Sequence, residues 1–335
     1  MEIKITSFKK SKIRATQVLC FTGGLIAMPV EIGGFILGPM AFNGHDLVYE
    51  GPLPLPDIHS LAKQAGFYYV GAKEIHEDGG PERSQFWYPS VGEVRASEQS
   101  ADSWAAIAAQ ARAAQDDEYS CIAKYLSISL RSAGWRLRDI GDLHHEQLRW
   151  ALLRNRSSGE RFANVALHDL YLAMHSFLTE ICSARDYLVQ IAARRVCAKR
   201  TIDGLARLQE WLKKGNNFYA RDDAMIKMLI AAVGSEESPG WLAQLGEMRN
   251  MFIHRQPMAA SSDSAALLFR RVAAGCGFIP IIRLSRYSRG EEFAESEDPF
   301  IAFLRFWIEF ESLSQASVVL SRYTAEPPRF VVADE

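Results

Sequence analysis

The chain has 335 residues, of which 48% are apolar and 23% charged, so it can bury a full core and wholesale disorder is excluded. Typical domain lengths make two domains the starting expectation. With 38 Lys and Arg against 40 Asp and Glu the net charge is −2, so no global basic field exists and any nucleic-acid affinity must come from a local patch.

The run Lys9-Lys10-Ser11-Lys12-Ile13-Arg14 followed by apolar residues from Ala15 to Val30 has the outline of a secretory signal. Thr22, Gly23 and Gly24 interrupt it, no small-x-small cleavage site follows, and Glu31 stops it short of the roughly 20 residues that span a bilayer. Short buried strands are expected there instead. The five cysteines, Cys20, Cys121, Cys182, Cys197 and Cys276, are odd in number and form no C-x-x-C pair. This excludes a disulfide framework or zinc knuckle and points to a reducing, cytoplasmic setting with no membrane segment.

Residues 1–100 are dense in Gly and Pro, from Gly23-Gly24 through Gly51-Pro52-Leu53-Pro54-Leu55-Pro56, which disfavours long helices. The apolar runs 35–37, 47–49 and 67–70 read as strands, and Asp57 to Ala65 as one short helix with Asp57 at its N-cap. Residues 74–103, with Gly79-Gly80-Pro81 and many charges, read as loop and linker.

From Asp102 the pattern turns helical, with helices expected near 102–116, 117–133, 144–155, 159–200, 202–214, 222–234, 238–256, 262–274 and 297–323. Within the longest, Phe162, Val165, Leu170, Leu172, Phe177, Ile181, Leu188 and Ile191 form an amphipathic stripe. In the last, Pro299 opens a helix whose Phe303, Phe306, Trp307, Phe310 and Leu313 share a face. The fold class is therefore mainly α, a helical bundle over 101–325 with a small N-terminal α/β region over 1–100. Charge is uneven within it. Residues 180–227 carry ten cations and six acids, and residues 288–335 carry four Arg and ten acids. This fits a phosphate-binding face balanced by an acidic tail, or simply two solvated helix faces.

The segment Arg249-Asn250-Met251-Phe252-Ile253-His254, closed by Pro257, carries the chemistry. It resembles the HEPN motif: an Arg, often followed by a polar residue, then His after four to six intervening residues. The helix containing Thr179-Glu180 through Arg185-Asp186-Tyr187-Leu188 resembles the HEPN helix that packs on the motif helix, so the resemblance covers about 159–322. It implies a HEPN-type bundle and metal-independent RNA cleavage in a toxin or anti-phage defence role. Catalysis falls to Arg249, Asn250 and His254, with Glu180 and Asp186 supporting. Arg185, Arg194, Arg195, Lys199 and Arg200 would bind RNA, with no metal and no cofactor. The implied partners are RNA, a second copy in a homodimer, and an antitoxin or regulator met through the N-terminal region. The alternative is a HEPN-like scaffold that only dimerises or binds a ligand.

The residue types suit the chemistry. Imidazole changes protonation near neutral pH, and guanidinium offers a rigid fork of donors to charge developing on phosphorus. Asn250 and His254 are four apart and share a helix face, whereas Arg249 and His254 are five apart and converge where the helix ends or where two copies meet. Two other pairs match the spacing. The five residues between Arg138 and His144 run through Asp139-Ile140-Gly141-Asp142, expected to be a turn, and Arg161 and His168 lie in the first turns of the long helix with no polar residue after the Arg.

Weaker clusters are set aside. His144-His145-Glu146 is expected at an exposed helix start, and His168 and His175 would need a third ligand from elsewhere. Gly23-Gly24 lacks the Lys and Ser or Thr of a phosphate loop, and no G-x-S-x-G elbow occurs. Phe67, Tyr68, Tyr69, Trp87 and Tyr88 could stack on bases but fit strand core as well.

Overall fold

The computed structural model describes residues 14–30, 33–38, 50–77, 83–91, 94–95, 100–255, 265–275, 277–288, 291–292 and 298–326. The expected strand at 47–49, the basic run 9–12, Glu31, Gly79-Gly80-Pro81 and Cys276 lie outside them.

Strands β1 (Arg14–Phe21), β2 (Ile26–Pro29), β3 (Phe35–Gly38), β4 (Glu50–Leu53), β5 (Tyr69–Glu77), β6 (Arg83–Val91) and β7 (Val94–Arg95) form one sheet in the order β4-β3-β2-β1-β5-β6-β7. Antiparallel pairing sets β1 against β2 and β5, β3 against β2 and β4, and β5 against β6. Residues 74–103 are thus not linker throughout. β5 continues to Glu77 and pairs with β6 from Gly71↔Pro89 to Glu77↔Arg83, and the charged residues Lys73, Glu74, Glu77 and Arg83 hid the strand pattern in the sequence. Helix α1 (Leu55–Ala65) starts after Pro54 rather than at Asp57, which falls in its first turn. Its Ile58, Leu61, Ala62 and Ala65 are buried.

The helical part holds α2 (Ser100–Ala113), α3 (Asp117–Leu153), α4 (Leu167–Arg195), α5 (Leu205–Leu212), α6 (Ala224–Val233), α7 (Trp241–Asn250) and α8 (Pro299–Val318). The chain is mainly α with an N-terminal antiparallel β region, and among the described residues no helix is long and apolar enough to cross a membrane. The helices expected at 117–133 and 144–155 are one. Ala133, Leu137, Ile140, His144, Leu148 and Ala151 form an unbroken buried stripe that carries α3 through Gly134 and Gly141. Tertiary burial overrides the local cost of glycine there. The helix expected at 262–274 is instead strand β9 (Ala265–Ala274), beside β10 (Gly277–Ser288) in a four-stranded sheet of order β11-β10-β9-β8, where β8 is Arg161–Phe162 and β11 Glu291–Glu292. Leu267 and Phe269 are buried while Leu268 and Arg270 are half-buried, so alternation beat the helical preference of Ala265-Ala266.

Packing divides the chain into two units that do not follow chain order: residues 1–90, 141–161 and 268–283, and residues 91–140, 162–267 and 284–335. The N-terminal sheet therefore shares its unit with the end of α3 and much of the β9–β10 hairpin, beyond the expected boundary at 100. In that unit Gly24 sits at φ +83, and a Cβ there would stand 2.7 Å from His144 O and 2.9 Å from Leu148 Cβ. Its carbonyl accepts a 2.8 Å hydrogen bond from His145 Nδ1. Gly24→Ala should therefore cost about 2–4 kcal/mol, left-handed strain plus overpacking, read as a fall in the denaturant midpoint. His144-His145 is not an exposed helix start. His144 is fully buried, and burial pushes it down to about 3. Burial also lowers His145, to about 4, against the bond to Gly24 and with help from Arg149 and Lys73.

In the other unit, Asp298 caps α8 by accepting from Phe300 N–H at 3.0 Å with Pro299 in the first turn, and Phe303, Phe306, Trp307, Phe310 and Leu313 are buried as their spacing predicts. On α4 the stripe holds at Leu170, Phe177, Ile181, Leu188 and Ile191, but Leu172 is exposed. The expected start at 159 is also overturned, since Phe162 is buried from β8 and Val165 is exposed before α4 begins.

Candidate functional site

Helix α7 buries Leu242 and Leu245, and Phe252, seven residues beyond Leu245, is fully buried with its ring edge-on to Phe303 at 6.3 Å. That anchor fixes the chain after the helix, where Met251–Arg255 form a π-turn. In a π-turn the backbone bonds i→i+5, so positions five apart come to one side. Arg249 ends α7 and His254 falls within the π-turn, so the widened turn lies between them and this pair, badly phased on an α-helix, meets within one chain. Arg249 Nη1 lies 3.1 Å from His254 Nε2 and donates to Asn250 Oδ1 at 3.2 Å. Guanidinium is a donor only, so in a hydrogen bond at this contact Nε2 is the acceptor. Asn250 and His254 are exposed and Arg249 half-buried, so solvent and ligands reach all three.

Arg249 follows Leu245 by four residues and sits on the edge of α7 that faces α4. Burial pushes the Cys182 thiol of α4 up to about 11, with nearby Arg185 and Arg249 pulling it back and Asp186 adding to the rise. A Cβ on Gly246 would lie 3.5 Å from Arg185 Nη1, so a second guanidinium rests against the motif helix. Arg185 is turned by its own neighbour, donating from Nε to Asp186 Oδ1 at 2.9 Å, and that same oxygen accepts from Leu205 N–H at 3.4 Å at the start of α5. Asp186 therefore acts by holding Arg185. Glu180 is half-buried on α4, and its side chain makes no hydrogen bond or ion pair among the described residues. Sequence reasoning passed over Cys182 and Gly246. The signal for the latter is a glycine inside a helix, which costs about 1 kcal/mol against alanine and marks a close approach.

Comparison with protein-family models, curated proteins and solved structures returns no match. The geometry therefore stands on its own. Among the described residues no three His, Cys, Asp or Glu side chains gather as metal ligands would. The two decoy pairs differ in setting from the expectation. Arg138 lies within continuous α3 and donates to Asp139 Oδ1 at 3.0 and 2.8 Å, while Arg161 belongs to β8 rather than to the helix that carries His168.

The basic residues separate by what holds them. Arg195 donates to Asp223 from Nε at 3.2 Å and Nη2 at 2.9 Å, and from Nη1 to Leu320 O beyond the end of α8. Arg194 pairs with Glu118, which also takes Arg200 at 3.2 Å. Arg195 is thus a clamp between elements rather than a free phosphate donor, and reversing it would disturb the fold. Lys199 and Arg200 are exposed. Of the aromatics considered for stacking, Phe67 and Trp87 are buried, Tyr69 packs on Phe21 and His59, and Tyr68 and Tyr88 are exposed.

Proposed function

We propose that this chain is a metal-independent endoribonuclease of HEPN type, acting as a homodimer in a toxin or defence role. The observation that carries the reading is the accessible Arg249–Asn250–His254 cluster, brought together by a π-turn on a packed bundle. In the proposed reaction the RNA 2′-oxygen bonds to the adjacent phosphorus as the bond to the 5′-oxygen breaks, leaving a 2′,3′-cyclic phosphate and a 5′-hydroxyl. Neutral His254 takes the 2′ proton at Nε2 when Arg249 swings its donors onto the phosphate, where they meet the growing negative charge. Asn250 holds either the imidazole or a phosphate oxygen. The set is a cation, an amide and an imidazole, which needs no metal for this step.

A second imidazole is wanted to return a proton to the 5′-oxygen, and a two-fold dimer placing two motifs in one cleft supplies it. Sedimentation at micromolar protein should show a dimer, and a fully active monomer would contradict the shared site. The defence role rests on family analogy, as does the suggestion that the N-terminal region meets an antitoxin or a regulator. The rival reading, a silent dimerisation scaffold, gives no use to an exposed Asn250 and His254 poised around one guanidinium. The discriminating experiment is cleavage of end-labelled RNA in EDTA by wild type and by Arg249→Ala. Chelator-resistant cleavage that falls at least tenfold in the variant supports the nuclease, and cleavage indifferent to Arg249 rejects it.

A further inference from the structure

We propose that the turn following α5, residues 213–221, is a stacking platform for single-stranded nucleic acid. It extends the ribonuclease reading by saying where RNA is held, and depends on that reading only for the choice of RNA over DNA. Phe218 and Tyr219 are adjacent and expose 62% and 59% of their surface, unusual for two large rings on an ordered element. They are not loose. Tyr219 donates its hydroxyl to Val196 O at 3.2 Å, which leaves the ring outside and its polar end tied down. Arg221 lies over the Phe218 ring at 4.8 Å and donates to Leu212 O at 3.2 Å. Asn217 donates its amide to Trp211 O at 2.9 Å, so three side chains pin the turn to neighbouring carbonyls. Rings fixed before binding lose little freedom when a base stacks on them.

The charge around the rings chooses the occupant. Lys199, Lys213 and Lys214 are exposed and make no ion pair among the described residues. Lys213 and Lys214 open the turn, and the Tyr219–Val196 bond brings the chain leading to Lys199 alongside. The carboxylates close by are mostly committed: Asp203 to Arg207 at 2.7 Å, Asp222 to Lys227 at 3.5 Å and Asp223 to Arg195, leaving Glu210 exposed. Exposed rings among unpaired lysines match a strand with accessible base faces and a phosphate backbone, and a duplex hides those faces.

The test is fluorescence anisotropy with a short 5′-fluorescein oligouridine and full-length His254→Ala protein, over a salt series. Phe218→Ala and Tyr219→Ala should each weaken binding about tenfold or more, whereas Tyr219→Phe, which keeps the ring and loses only the bond to Val196 O, should lose far less than Tyr219→Ala. Lys213→Glu with Lys214→Glu should weaken binding at low salt and flatten its salt dependence. A duplex RNA of the same length should be indifferent to the ring variants. Ring variants that bind like the parent, or a duplex that responds equally, would overturn the platform. This assay reads no cleavage, so its failure leaves the nuclease reading standing. Ring-dependent binding by a wild type that cleaves nothing would overturn the nuclease reading alone.

Discussion

His254→Ala is expected to lower RNA cleavage by about 10²–10⁴-fold, the usual contribution of a positioned general base, while leaving thermal stability within about 0.5 kcal/mol of wild type. Both halves follow from one placement. The imidazole is exposed at the end of a π-turn, so the fold does not depend on it, while its Nε2 is the atom that Arg249 holds at 3.1 Å. Circular dichroism with a single-turnover cleavage assay reads the two halves separately. A variant that unfolds, or one that cleaves normally, would each break a different part of the account. Arg249→Lys should not rescue Arg249→Ala fully, because a lysine cannot present two donors of one planar group to Asn250 and the phosphate together.

The second large effect concerns the clamp at Asp223. Its carboxylate caps α6 by accepting from Met225 N–H at 2.9 Å and Ile226 N–H at 3.2 Å, and also receives Arg195, which ties α4 to α6. Asp223→Ala removes the cap, worth about 1 kcal/mol, and leaves a guanidinium whose side chain is only 26% exposed with Leu320 O as its remaining partner. The sum should be about 2–3 kcal/mol, below the cost of breaking a fully buried pair because solvent reaches this one. Asp223→Asn, which keeps an acceptor for the cap, should lose less. Burial tends to raise the Asp223 pKa, but the bonds from Arg195, Ile226 and Met225 outweigh it and hold the group below the usual carboxylate range. A depressed folded value means that the stabilisation is present in full above the unfolded value near 3.9 and is lost as pH falls through the folded one. The gap between wild type and Asp223→Ala should therefore be flat at neutral pH and close in acid. Urea titrations at stepped pH check this, and a gap that widens in acid would contradict it.

The sequence foretold those features that have a period or a cap. The face of α8 reads directly from the spacing of Phe303, Phe306, Trp307 and Phe310, and its start from Pro299. What it hid were outcomes of tertiary competition. Residues 134–143 read as a gap between two helices with a turn at Asp139–Asp142, yet a buried stripe through Leu137 and Ile140 holds α3 continuous. Ala265-Ala266 read as helix, yet pairing in a sheet made them β9. At the site, Arg249, Asn250 and His254 were identifiable as residue types at a spacing, but not the π-turn that makes a spacing of five workable. Nor does composition tell a free arginine from a committed one. Arg195 and Lys199 look alike in a basic run, and only the fold shows that Arg195 spends its donors on Asp223 and Leu320.

The most direct measurement of the central claim is the chemistry of the cut ends. Wild-type protein should be incubated in EDTA with an RNA labelled at one end and with the same RNA carrying a single 2′-deoxy residue at the cleaved position. The account predicts 2′,3′-cyclic phosphate and 5′-hydroxyl termini on the first, and no cleavage at the substituted position on the second, since the attacking oxygen is gone. Cleavage that persists at the deoxy position, or that appears only when a divalent ion is restored, would contradict an Arg249–His254 transphosphorylation site.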